Sequence, residues 1–196
     1  MPLIEMSSAP VAEPKAWLAA IAERGAAQVT WDPRFKGFLA DAFSGECRLQ
    51  MWDHAPLIDV ITEFLASCPD KPRLELGRYA VFSGAPSYGR GSRGLLWLDC
   101  ANAEMPAVFA ALIRQRRVLY CLDLYLSSSL AGPPLPPQFL SALHLWLRSH
   151  QAGHIVSIDL HNAGRYLFSL DPAHCGLEQD IGSKPLRRFR ASGGAA

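Results

Sequence analysis

Between Leu74 and Asp171 four short apolar runs each carry an aspartate late in the run or at its end: Leu98-Asp99, Leu122-Asp123, Ile158-Asp159 and Leu170-Asp171. Runs of strand length that repeatedly finish on a turn-favouring carboxylate describe a sheet whose strands leave the core on the same residue type. A chain of 196 residues, 49% of them hydrophobic, is long enough to close one buried core over such a sheet and short for two.

The stretches around these runs supply the other elements. Trp17, Leu18 and Ile21 recur at helical spacing before Gly25, and a second helix is expected over Pro33 to Phe43. Cys47 to Trp52 alternates like a strand, and Leu57, Val60, Ile61 and Phe64 form one face of a helix that Pro69 ends. Two strands, Arg73 to Gly84 and Leu95 to Cys100, flank a glycine-rich stretch and read as a β-hairpin. Ala103 to Arg117 is expected to be a helix, with Met105, Val108, Phe109, Leu112 and Ile113 inward. Val118 to Leu126 follows as a strand, Gln138 to His150 as a helix, and His154 to Leu160 and Arg165 to Leu170 as the last strands.

Strand, helix, strand twice over implies two right-handed βαβ crossovers, and near-continuous apolar runs imply strands buried on both faces. The expected class is therefore α/β, with α+β as the variant: a mixed sheet with antiparallel hairpin edges, covered by helices, after an N-terminal helical segment. Residues 1–45 are read as a helical arm or cap, 46–175 as the α/β core domain, and 176–196 as a basic, flexible tail.

Net charge of +1 gives no global field toward nucleic acid or an anionic membrane. No apolar run approaches the length of a spanning helix, so no membrane partner is expected. Residues 1–14 contain Glu5 and Glu13 and do not read as a secretory signal. Five cysteines without a C-x-x-C pair read as buried thiols of a reducing compartment, the cytoplasm. The excess of arginine over lysine and the abundance of alanine suggest a GC-rich bacterial gene.

Three functional expectations follow. The first is a non-catalytic protein-binding or regulatory module, a small bacterial accessory or immunity-type protein with another protein as partner and no cofactor. It rests on the lack of a specific catalytic motif and on five tryptophans available for a contact surface. The second is a Mg-dependent phosphoryl-transfer enzyme or nuclease in which Asp99, Asp123 and Asp159 converge on the ion; the plainer reading is that Asp99 caps the helix expected after it and Asp171 lies in a turn. The third is a nucleic-acid-binding accessory protein. It would contact phosphate through Arg90 and Arg93 in the glycine-rich stretch and Arg187, Arg188 and Arg190 near the C-terminus.

Overall fold

The computed structural model describes residues 17–18, 26–44, 46–49, 52–66, 73–75, 78–87, 91–115, 119–130, 135–150, 155–160, 166–169 and 176–179. The first layer is helical. Helix α1 spans Ala26–Trp31 and α2 spans Pro33–Ala42. Asp32 starts α2: its carboxylate accepts from the Arg34 backbone N–H at 2.8 Å, and Pro33 follows where a missing N–H costs nothing. The Arg34 guanidinium closes on the same carboxylate at 3.0 and 3.1 Å. That side-chain hydrogen bond is the main reason why the Asp32 carboxyl titrates below the usual carboxylate range. Stability that a lowered carboxylate supplies is present above its unfolded-state pKa and lost as pH falls through its folded-state pKa. The Asp32→Ala protein should therefore melt slightly below the wild type at pH 7, with the difference beginning to shrink only as pH falls below about 4; thermal melts across that range check this.

The hairpin β1 (Glu46–Leu49) and β2 (Trp52–Pro56) leads into α3 (Leu57–Ala66). Leu57, Val60, Ile61, Phe64 and Leu65 recur on one face of α3 and are all buried, as the amphipathic spacing requires. The main sheet has the order β3 (Arg73–Glu75), β4 (Tyr79–Gly84), β5 (Arg93–Asp99), β6 (Ala107–Gln115), β7 (Leu119–Leu126), β8 (Ile155–Leu160). Neighbours from β3 through β7 are antiparallel, and β7 pairs with β8 in parallel. Helix α4 (Pro137–Ser149) lies between β7 and β8 in the chain.

Two cores flank the sheet. On one face, Ala80, Phe82, Leu96, Leu98, Phe109 and Tyr125 pack with Leu18, Val29, Phe35, Leu39 and the buried face of α3. On the other, Leu95, Trp97, Val108, Leu112, Leu122 and Leu124 pack with Phe139, Leu143, Trp146 and Leu147 of α4. The α3 layer comes so close that a Cβ on Gly94 would sit 2.7 Å from Phe64 Cβ; glycine there is a packing requirement.

One expected element needs correction. The helix expected over Ala103 to Arg117 is strand β6, antiparallel to both β5 and β7, so no helical crossover joins those strands. Ala107 to Ile113 are all buried because β6 is covered on both faces, and such a run fits a helical period as well as a strand. Burial on both faces therefore does not make these strands parallel. Within residues 1–45, read as an arm or cap, Leu18, Val29, Phe35, Leu39 and Phe43 pack into the first core. At the other end, Gly176–Gln179, the start of the stretch read as a tail, forms strand β10 against β9 (Tyr166–Ser169). Among the described residues no helix is long and apolar enough to cross a membrane.

Candidate functional site

The sheet register decides which carboxylates can meet. Side chains alternate between faces along a strand. Asp99 therefore shares the face of Leu95 and Trp97, whereas Asp123 shares the face of Tyr125 and the α3 layer. Asp123 stands level with Ala111 and, through it, with Gly94, five positions along β5 from Asp99. At about 3.3 Å per residue the two are about 17 Å apart along the strands, on opposite faces. One ion does not reach both.

Asp99 has a different occupation. Its two oxygens accept from Arg78 Nε at 3.3 Å and Nη2 at 3.1 Å, and Oδ1 also accepts from the Ala101 backbone N–H at 3.0 Å. The carboxylate hydrogen bond raises the Arg78 pKa further above its already high value. Arg78 also lies over the Tyr79 ring, 5.1 Å from its centroid. Asp99 thus ties the start of β4 to the turn after β5. That turn continues through Asn102, whose side chain accepts from Glu104 N–H, to Met105 at φ 43°. The capping role expected of Asp99 is there, on a turn and not on a helix.

Asp123 is 7% exposed, and the Cys121 thiol approaches its Oδ1 at 3.5 Å. In the parallel pairing its register partner is Asp159. Gly94, Ala111, Asp123 and Asp159 thus occupy one row across four strands. Of the three aspartates, Asp123 and Asp159 are the two that the sheet brings to one strand spacing, about 4.8 Å. Among the described residues no three His, Cys, Asp or Glu side chains gather as metal ligands do. Neither Cys100 nor Cys121 is in a disulfide.

The glycine-rich stretch after β4 is anchored at both ends. Glu63 of α3 accepts from the backbone N–H and the hydroxyl of Ser87, at 3.1 and 2.5 Å, and Pro86 and Ser92 are buried. Gly91 takes φ 86°, and the Arg114 side chain crosses it, with Cδ 2.5 Å from where a Cβ would stand. Arg93 is half-buried and donates from Nη1 to the Ser92 carbonyl at 2.9 Å. Arg90, Arg187, Arg188 and Arg190 lie outside the described residues.

No family model, curated protein or solved structure matches this chain. Of the tryptophans, Trp97 and Trp146 are core residues, and the Trp146 indole N–H is buried without a partner. Trp31 is 74% exposed at the end of α1. Sequence reasoning set Trp31 among five equals; its neighbours Asp32 and Pro33, which stop α1 and start α2, were the signal that it sits at a corner. Arg114, within the stretch expected to be a helix, stands near the end of strand β6, where no helix dipole accounts for a cation.

Proposed function

We propose that this chain is a non-catalytic protein-binding module, an accessory or immunity-type protein that acts through the surface of its N-terminal helical layer. The exposed indole of Trp31 carries the reading. Single exposed aliphatic residues need no explanation, but a tryptophan offers a large contact area with few rotatable bonds and is enriched at binding hot spots. The corner that bears Trp31 is stiffened by the Asp32 cap and its Arg34 ion pair, and Arg34 lies over the Trp17 ring, 5.6 Å from the centroid. A pre-organised platform of this kind loses little entropy on docking.

The partner is another protein. Cys100 and Cys121, neither of them in a disulfide, fit a reducing cytoplasm, and we read the β7–α4–β8 connection as a right-handed crossover. Trp31→Ala should leave the melting temperature unchanged and weaken a stoichiometric partner, measured by titration calorimetry, by about 30-fold or more, the range of a hot-spot residue. Undiminished affinity in that variant would remove the surface from consideration.

A further inference from the structure

We infer that the outer edge of β3 (Arg73–Glu75) is the contact through which two copies of this chain associate, continuing the six-stranded sheet across a two-fold axis. The edge is separate from the Trp31 surface and does not depend on it. β3 is the first strand of the sheet: it pairs with β4 on one side and, among the described residues, with no strand on the other. An edge strand presents a row of backbone donors and acceptors, and a second strand laid against it satisfies them. When the added strand is the same strand of a second copy, the contact is self-complementary and closes at a dimer.

The sequence of the edge fits its own copy. Antiparallel pairing about Leu74 sets Arg73 of one copy directly opposite Glu75 of the other, and the symmetry repeats that pair. Opposite charges directly across an antiparallel pair stabilise it, and like charges destabilise it. No other antiparallel register gives both pairs. β8, at the other end of the sheet, offers no such match, because Asp159 is the single charged residue of Ile155–Leu160.

The neighbouring strand supplies apolar surface. Along β4, Ala80 and Phe82 are buried in the first core, whereas Tyr79 and Val81, on the face that α4 covers, are half-buried. One strand further in, Leu95 and Trp97 on that face are buried. Cover on this face thus thins toward β3, and Val81 and Tyr79 stand level with Arg73 and Glu75 in the register. A continued sheet draws this apolar strip further out of water.

Sedimentation velocity between about 1 and 100 μM protein tests this, since association follows mass action. The wild type should pass from monomer to dimer over that range. Arg73→Glu and Glu75→Arg, which each set like charges opposite one another, should each raise the dimer dissociation constant about tenfold or more, with circular dichroism unchanged. Arg73→Glu and Glu75→Arg in one chain restore opposite charges and should bring the constant back to within about threefold of the wild type. Trp31→Ala should dimerise as the wild type does. The proposal is overturned if the wild type is monomeric at the highest concentration, if either single charge variant dimerises as well as the wild type, if the double variant dimerises no better than the single ones, or if Trp31→Ala abolishes the dimer.

Discussion

Phe64→Ala is expected to lower the unfolding free energy by about 3–5 kcal/mol, the range for removing a buried aromatic side chain. Phe64 is fully buried, meets Phe109 edge-on with centroids 5.8 Å apart, and presses on the backbone at Gly94. The site has little means to collapse after truncation. Opposite Phe64 the row begins with a glycine and an alanine, Gly94 and Ala111, which carry no long side chain to swing into the space. The cavity should persist and add to the lost transfer energy. Urea unfolding followed by far-ultraviolet circular dichroism gives the value. A loss below about 1 kcal/mol would mean that α3 is not the packed lid of this face.

Trp97→Ala should cost a similar amount, about 3–5 kcal/mol, on the opposite face. Trp97 is 2% exposed, stacked on Tyr79 at 5.3 Å and edge-on to Phe139 of α4 at 6.2 Å. It is the side chain through which β4, β5 and α4 share one cluster. Trp97→Phe keeps one ring in the cluster and should cost clearly less than Trp97→Ala. The ordering of the two variants separates loss of packing from any effect of the indole itself. Phe64 and Trp97 belong to separate clusters on separate faces, so their effects should add. With total stabilities of about 5–15 kcal/mol for a domain, the double variant should fail to fold or sit close to that limit.

The sequence was most readable where one face of an element is wet. The periodicity of α3, with Leu57, Val60, Ile61, Phe64 and Leu65, and the alternation of Tyr79 to Gly84 both carry their secondary structure openly. Legibility failed in the middle of the sheet. From Ala107 to Ile113 every residue is buried, so polar punctuation is missing and the apolar residues fit a 3.6-residue period by default. Val108, Phe109 and Ile113, branched or aromatic, were the available hint of a strand.

The aspartates show the same limit at the level of the site. Asp99 ends β5 and Asp159 stands near the end of β8, whereas Asp123 stands in the middle of β7; face and register depend on strand direction, and β6 as a strand changes both. With β6 in place, Asp99 is held on one face by Arg78 and Asp123 stands on the other beside the register position of Asp159. Arg114 became visible as a neighbour of Gly91 only once β6 ran antiparallel to β5.

The two-sided burial of β5, β6 and β7 has a consequence for how the chain is made. Helices α1, α2 and α3 precede these strands in the chain, so the cover for one face is synthesised before the sheet itself. The described cover for the other face, α4 at Pro137–Ser149, emerges only after β7. A nascent chain that has reached Leu126 therefore presents Leu95, Trp97, Val108, Leu112, Leu122 and Leu124 to solvent. Translation through the proline-rich stretch at Pro133, Pro134, Pro136 and Pro137 falls within that interval. A pause there would prolong the exposure of the face most prone to capture by a chaperone or by another unfinished chain.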